Sequence, residues 1–311
     1  ARPAGPELRV RDADGTWHAW WRAADAPARW SAADARLAPR VAWRAAAPGV
    51  DVGELALSGA GEAWRVRAVL VRLDPARVRL ALDAHVDAAG RVRPWAAAEA
   101  PAAAVAALNA GMFGDGGPWG WVVHGGRELQ APGAGSLASA VVVGADGRVR
   151  VVGADSLPAL RAAARRGEVA EAVQGYPTLL DGDGAVPAAL RPDAAGRMPA
   201  AIDLEHRDAR LVVGELRDGR VLVALTRFDA LRAATGGLAG DLLGPVPLGL
   251  TVPEAAALAG ALGCRRAVLL DGGLSAQLLV REAGGARRVW GGLRRVPLGI
   301  VALPRAGAAP R

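Results

Sequence analysis

The stretch from Thr251 to Ser275, TVPEAAALAGALGCRRAVLLDGGLS, predicts a capped helix, a short strand and a glycine turn in succession. Thr251 and Glu254 have the spacing of a capping box, and Pro253 lies in the first turn, where a proline is tolerated. Apolar residues at helical spacing follow, and Gly263 ends the helix. This order places a polar turn directly after a buried strand.

A second segment has the same design as the end of this stretch. Ala267–Leu270 leads into Asp271-Gly272-Gly273, and Val105–Leu108 leads into Asn109-Ala110-Gly111. Each places a polar side chain at a strand end, followed by small residues that let a ligand or another backbone approach. Each alone could be an ordinary turn that needs glycine for a positive φ. The pair favours a binding site built on two strand ends.

The middle of the chain is predicted to be mostly antiparallel. Trp64–Leu73 and Val78–Leu82 alternate as half-buried strands do, with a turn at Asp74-Pro75 between them. Asp-Gly pairs between apolar runs are typical of β-hairpins. They lie at Asp146-Gly147, between Ala140–Val143 and Val149–Val152, at Asp218-Gly219, between Leu211–Leu216 and Val221–Leu225, and at Asp181-Gly182, after Thr178–Leu180.

These patterns predict an α+β fold with a large mixed, mostly antiparallel β-sheet and a few flanking helices, which include Pro158–Arg166 and Pro94–Ala100. Residues 1–40 form an N-terminal extension rich in Trp, Ala and Arg, residues 41–304 form the main domain, and residues 305–311 form a tail. The tryptophans of the extension could be a carbohydrate platform, but packing against a neighbouring surface is the favoured interpretation.

Composition excludes several classes of protein. The 311 residues are 52% hydrophobic and 22% charged, which does not fit a disordered or collagen-like chain. No apolar run has the length of a transmembrane segment. Every basic side chain except the four histidines is arginine, so a lysine-containing phosphate loop is excluded. The net charge of +7 is spread along the chain, and no nucleic acid is predicted as a partner.

Cofactor and metal motifs are weak. The only cysteine, Cys264, excludes an intramolecular disulfide and a cysteine-rich metal site. Gly133–Ala138 fits a dinucleotide fingerprint only loosely, because no strand precedes it. Asp203, Glu205 and His206 are a poor set of three metal ligands, since His206 would point away from the other two on a strand. We therefore predict neither a metal nor a cofactor.

Several motifs in order resemble the phosphodiester glycosidase family, that of the mannose 6-phosphate uncovering enzyme, in its bacterial form. The resemblance runs from about Val41 to Pro304. Its motifs are Asn109-Ala110-Gly111-Met112-Phe113, Pro118-Trp119-Gly120-Trp121, Gln174-Gly175-Tyr176-Pro177, Arg210-Leu211-Val212-Val213-Gly214, Leu270–Ser275 and Arg294-Arg295-Val296. Three positions depart from the family pattern: Tyr176 replaces a glycine, Leu211 a threonine and Leu274 a frequent third glycine.

The resemblance implies a phosphodiester glycosidase, a hydrolase that cleaves a glycosyl-1-phosphodiester to a free sugar and a phosphomonoester. Asp271 would be catalytic, with Glu205 as the partner carboxylate. Arg210 and Arg294 would bind the phosphate, and a structural ion pair is the alternative for Arg210. The other implied substrate-binding residues are Asn109, Gly111, Gln174, Gly272, Gly273 and Ser275.

The implied substrate is a sugar-phosphodiester or glycan, and a bacterial cell-envelope glycan would place the protein outside the cytoplasm, in the periplasm or secreted. The alternative function is a non-catalytic carbohydrate- or envelope-binding protein that uses the same cleft. The oligomeric state and the identity of the sugar stay open.

Overall fold

The computed structural model describes residues 6–59, 65–84, 93–114, 117–191, 206–228 and 249–305. The strands are β1 (Glu7–Arg11), β2 (Trp17–Arg22), β3 (Arg44–Ala47), β4 (Val50–Gly59), β5 (Arg65–Leu73), β6 (Val78–Asp83), β7 (Ala106–Asn109), β8 (Met112–Gly114), β9 (Gly117–Trp119), β10 (Val122–His124), β11 (Arg127–Gln130), β12 (Ser139–Gly144), β13 (Val149–Gly153), β14 (Val169–Gly175), β15 (Thr178–Leu180), β16 (Arg210–Leu216), β17 (Val221–Phe228), β18 (Cys264–Leu270), β19 (Leu278–Arg281), β20 (Arg287–Trp290) and β21 (Gly299–Pro304). The α-helices are α1 (Leu157–Arg165) and α2 (Val252–Ala261).

A nine-stranded sheet forms the centre of the fold. Its order is β15-β18-β16-β17-β5-β4-β1-β2, and β3 also pairs with β4. A five-stranded sheet has the order β11-β10-β14-β12-β13, another has the order β20-β19-β7-β21-β6, and β8 pairs with β9. Within the described ranges every strand pair is antiparallel.

The nine-stranded sheet is buried on both faces. Along β16, Val213 packs into one core with residues of both five-stranded sheets, while Val212 packs into a second core with helix α2. Neighbouring residues of a strand point to opposite faces, so this division follows directly from the strand geometry. It also explains why β16 and β18 are almost continuously apolar rather than alternating.

Helix α2 begins as the sequence predicts. The Thr251 hydroxyl accepts a hydrogen bond from Glu254 N (3.3 Å), and the Glu254 carboxylate accepts one from Thr251 N (2.9 Å), which completes the capping box. The Arg207 guanidinium donates to both oxygens of the buried Glu254 carboxylate. The side of α2 near Gly260 lies against Trp30, whose ring a Cβ at Gly260 would meet at 2.2 Å. A tryptophan of the N-terminal segment thus covers the helix.

The predicted fold class is confirmed: antiparallel sheets dominate, and the two described helices flank them. The hairpins at Asp146-Gly147 and Asp218-Gly219 are also confirmed. At Asp74-Pro75 the turn is present, but it carries the chain from β5 in the nine-stranded sheet to β6 in another sheet.

One predicted helix does not form. An α-helix over Pro94–Ala100 is wrong, because Trp95 forms a β-bridge with Val296 and only a 3-10 turn, Ala97–Glu99, follows. In the N-terminal segment, β1 pairs with β4 and so extends the nine-stranded sheet. None of the described helices is both long and apolar enough to cross a membrane.

Candidate active site

Three strand ends meet at one edge of the fold. Leu270, the last residue of β18, is paired with Leu211 of β16, so Asp271 lies beside the start of β16. The end of β7 reaches the same place: Asn109 Nδ2 donates to the carbonyl oxygen of Asp271 over 2.8 Å. Asp271 N donates to the carbonyl oxygen of Gly111, also over 2.8 Å. The backbone of Asp271 is therefore held from both sides by the turn after β7.

Asn109 acts as a buried clamp. Its side chain is fully buried, and its Oδ1 accepts a hydrogen bond from Gln277 N over 2.9 Å while its Nδ2 bonds Asp271. The amide thus joins β7, the turn after β18 and the start of β19. Asn109 and Asp271 are brought together as the two strand-end motifs suggest, and the contact runs through the Asp271 main chain.

Asp271 is a partly buried carboxylate with a perturbed acidity. Burial raises the pKa of its carboxyl group above the ordinary value, and the charge of Asp208 adds to this effect. The Ser275 hydroxyl, the Arg294 charge and the Gly272 N–H act in the opposite direction by favouring the anion. Ser275 is buried beside this carboxylate.

Asp208 is a second carboxylate that the sequence reasoning did not single out. Burial raises the pKa of its carboxyl group, and the Arg210 charge lowers it. Asp208 Oδ1 accepts a hydrogen bond from Ala209 N over 2.8 Å. The signal in the sequence was its spacing: two residues before Arg210, it shares a face with that arginine on an extended chain. Glu205, the sequence-based choice for a partner carboxylate, lies outside the described residues.

The two glycines after Asp271 let the Asp208 segment approach. A Cβ at Gly272 would lie 2.4 Å from the Ala209 carbonyl oxygen, and a Cβ at Gly273 would lie 2.7 Å from Asp208 Oδ2. Gly273 also has a φ of +55°, a conformation that favours glycine. Its N–H donates to the Ala209 carbonyl over 2.8 Å, so that donor serves the fold. Both carboxylates therefore flank a turn that admits only glycine.

The two arginines predicted to bind phosphate have different surroundings. Arg210 Nε donates to the Leu250 carbonyl oxygen (2.9 Å) and its Nη2 donates to that of His206 (2.5 Å), which ties it to the backbone. Arg294 is exposed, and its Cζ lies 4.9 Å from the centroid of the Phe113 ring. Within the described part of the chain the Arg294 guanidinium makes no hydrogen bond, so its donors face solvent beside Asp271.

Gln174 holds in place a loop that carries two aromatic residues near the end of β18. It is fully buried, and its Oε1 accepts hydrogen bonds from Trp121 N (2.7 Å) and Gly133 N (2.9 Å). The loop it holds places Trp119 and Tyr176 in an edge-to-face pair with ring centroids 6.4 Å apart. Tyr176 N donates to the Leu269 carbonyl oxygen, so this pair stands beside the end of β18. Both residues are partly exposed.

The remaining predicted residues are positioned as follows. Gly111 has a φ of +67°, and a Cβ there would meet Val173 Cγ2 at 2.7 Å, so it needs glycine for its fold. Among the described residues no three His, Cys, Asp or Glu side chains form a group that could hold a metal. Asp203 and Glu205 of the weak metal set lie outside the described residues.

The chain resembles known proteins in sequence and in fold. A family model described as phosphodiester glycosidase matches residues 102–303. The catalytic domain of zebrafish N-acetylglucosamine-1-phosphodiester alpha-N-acetylglucosaminidase, auto-inhibited by its pro-peptide, superposes with a TM-score of 0.59 at 14% identity, over 85% of this chain and 88% of that one. A hypothetical protein from Synechocystis superposes with a TM-score of 0.51 at 15% identity, over 97% of this chain and 69% of that one. No curated protein sequence matches the chain.

Proposed function

This chain belongs to the phosphodiester glycosidase family, and we propose that it hydrolyses a glycosyl-1-phosphodiester to a free sugar and a phosphomonoester. The observation that carries the proposal is the meeting of Asp271, Asp208 and the solvent-facing Arg294 at one strand edge. An acidic pair beside an available guanidinium supplies both groups that this reaction needs: carboxylates for the sugar carbon and a cation for the phosphate.

In the proposed reaction Arg294 binds the phosphate oxygens of the substrate. Guanidinium groups bind phosphate through paired charge-assisted hydrogen bonds, and charge on the leaving phosphate is stabilised as the bond to the sugar breaks. A phosphomonoester is already a good leaving group, so proton donation to it matters less than in ordinary glycosidases. Arg210, tied to two backbone carbonyls, holds the Asp208 segment in place and lowers the pKa of Asp208.

The two carboxylates have different roles in the reaction at the sugar carbon. Asp271, whose charged form the Ser275 hydroxyl and the Gly272 N–H favour, is the anion that stabilises positive charge at the anomeric carbon. Asp208 accepts the proton of the attacking water, and its raised pKa makes it a stronger base near neutral pH. The water oxygen bonds to the anomeric carbon, the carbon–oxygen bond to phosphate breaks, and the phosphomonoester leaves with the electron pair.

The aromatic pair supports a sugar at this position. Trp119 and Tyr176 are partly exposed residues near the end of β18, and sugar C–H groups pack well against aromatic rings. We propose a bacterial cell-envelope glycan as the natural substrate, because envelope glycans carry glycosyl phosphodiesters, and this places the protein outside the cytoplasm.

The test is hydrolysis of methyl esters of several sugar 1-phosphates, with release of reducing sugar as the readout. The native protein should release sugar from at least one ester, and Asp271→Asn should not. Asp146→Asn is the matched control, because Asp146 is an exposed carboxylate in the turn of the β12–β13 hairpin, outside the residues proposed for the site. If the native protein binds a sugar phosphodiester without releasing sugar, the protein is a binding module and the proposed reaction is wrong.

A further inference from the structure

Leu274 and Leu293 are exposed leucines on two loops that adjoin the candidate active site, and we call this pair the lip. Leu274 is 46% exposed and Leu293 is 64% exposed, and no other large hydrophobic side chain in the described ranges is as exposed as these two. The backbone joins them directly: Leu293 N donates to the Leu274 carbonyl oxygen over 2.8 Å. A Cβ at Gly292 would lie 2.8 Å from that same oxygen, so the two loops are closely packed.

Each leucine of the lip is the chain neighbour of a residue of the candidate site. Leu274 is the residue before Ser275, whose hydroxyl favours the charged form of Asp271. Leu293 is the residue before Arg294, and Arg294 N also donates to the Leu274 carbonyl oxygen, over 3.0 Å. Phe113 adds apolar surface under the Arg294 guanidinium. The lip therefore adjoins the group that binds the phosphate in the proposed function.

From this geometry we infer that the second alcohol of the phosphodiester, the one that leaves with the phosphate, is a long-chain aliphatic alcohol that packs on Leu274 and Leu293. This inference rests on the proposed function. When Arg294 holds the phosphate, the second ester oxygen is one bond from phosphorus, and the carbon chain attached to it begins at the lip. Leucine side chains offer no hydrogen bonds to a sugar or glycerol hydroxyl, whereas they remove an alkyl chain from water.

The direct test measures binding of the phosphomonoester product, so it does not depend on turnover. Methyl phosphate and decyl phosphate, the latter below its micelle concentration, are titrated into the native protein by calorimetry. Decyl phosphate should bind at least about tenfold more tightly, since removal of about 60 Å² of apolar surface from water has an effect of that size. The double variant Leu274→Ser with Leu293→Ser should lose this difference while its affinity for methyl phosphate stays unchanged.

The matched control is Leu129→Ser, because Leu129 is a similarly exposed leucine on β11, the edge strand of a five-stranded sheet. Its decyl preference should equal that of the native protein. Equal affinities of the native protein for the two phosphates would overturn the inference, as would a decyl preference that the double variant keeps or that Leu129→Ser also loses. A native dimer that the double variant converts to a monomer would also overturn it, because the lip would then be an interface between copies.

Hydrolysis of two substrates distinguishes a failure of this inference from a failure of the proposed function. Methyl and decyl esters of the same sugar 1-phosphates are compared over a range of concentrations. Hydrolysis of both esters with the same KM would overturn the inference of an aliphatic alcohol, and it would leave the proposed glycosidase activity intact. Tight decyl phosphate binding without hydrolysis of either ester would support the lip and overturn the proposed reaction.

Discussion

Asn109 Nδ2 donates a hydrogen bond to the main-chain carbonyl oxygen of Asp271 over 2.8 Å, although 162 positions separate them in the chain. The Oδ1 atom of the same side-chain amide accepts a hydrogen bond from Gln277 N. A single buried side chain therefore fixes where the β18 strand ends and which way the Asp271 carboxylate leaves it. The precision of the proposed site depends on this clamp rather than on contact of Asn109 with the substrate.

Replacement of Asn109 by alanine should lower the free energy of unfolding by about 2–4 kcal/mol, because two buried backbone groups lose their partner. Urea denaturation measures this change. We also expect kcat to fall more than KM rises, since the carboxylate is misplaced while the phosphate-binding arginine remains. A variant as stable as the native protein would contradict the role of Asn109 in holding the two backbone groups.

Replacement of Gly273 by alanine should remove most of the activity, because its Cβ would lie 2.7 Å from Asp208 Oδ2 and push that carboxylate away. The matched control is Gly219→Ala in a hairpin turn. Gly219 also has a positive φ, of +84°, but a Cβ there meets nothing within 4 Å. Both variants should lose stability from backbone strain, by about 1 kcal/mol. Equal activities of the two variants would contradict a role for Asp208.

Replacement of Arg294 by glutamine should raise KM for a phosphodiester about 10- to 100-fold, which corresponds to loss of a charge-assisted hydrogen bond. The Arg294 charge also lowers the pKa of Asp271. Its removal should therefore move the acidic limb of the kcat/KM profile to higher pH. Arg295→Gln is the neighbouring control, since Arg295 forms an ion pair with Glu99 over 2.6 Å and should leave both quantities unchanged. A profile that stays in place in Arg294→Gln would contradict the proximity of the two charges.

The raised pKa of Asp271 predicts the direction in which pH affects stability. A carboxyl whose pKa is raised in the folded state favours folding while it is protonated, and this contribution is lost as the pH rises through the folded-state value. Asp271→Asn should therefore unfold at an equal or higher temperature than the native protein at pH 7, and the difference should shrink toward pH 4.

Glu7→Gln serves as the control of opposite sign for this pH dependence. Hydrogen bonds from Arg9 and Arg22 lower the pKa of Glu7, so its contribution to stability is present at neutral pH and is lost as the pH falls. Glu7→Gln should accordingly lower the unfolding temperature at pH 7. Thermal scans from pH 4 to pH 8 give both comparisons, and a lower unfolding temperature for Asp271→Asn at pH 7 would show that its carboxylate is stabilised by its surroundings.

Local signals in the sequence predicted local structure well. The capping box at Thr251 and the Asp-Gly hairpins involve residues a few positions apart, so their geometry is decided by the short stretch itself. The turn at Asp74-Pro75 was predicted on the same grounds. That β5 and β6 then join different sheets depends on pairing with β17 and β21, far along the chain, and no local pattern encodes this.

In the candidate site, too, the sequence predicted the residues with a local signal and not those that depend on the fold. Asp271 and Asn109 stand out because each follows an apolar run and precedes a glycine. Asp208 was missed because it lies among charged residues, in His206-Arg207-Asp208, as a solvent-facing residue would. Only the fold brings it against Gly273. The buried roles of Asn109 and Gln174 were likewise beyond the sequence, since a polar side chain at a strand end can face either substrate or backbone.

The measurement that tests the central claim most directly is hydrolysis of a sugar 1-phosphodiester in water enriched in oxygen-18, with mass analysis of both products. We predict that the label enters the anomeric hydroxyl of the released sugar, that the phosphomonoester carries none, and that Asp271→Asn forms neither product. Label in the phosphomonoester would show attack at phosphorus, and it would contradict a glycosidase in which Asp271 and Asp208 act on the sugar carbon.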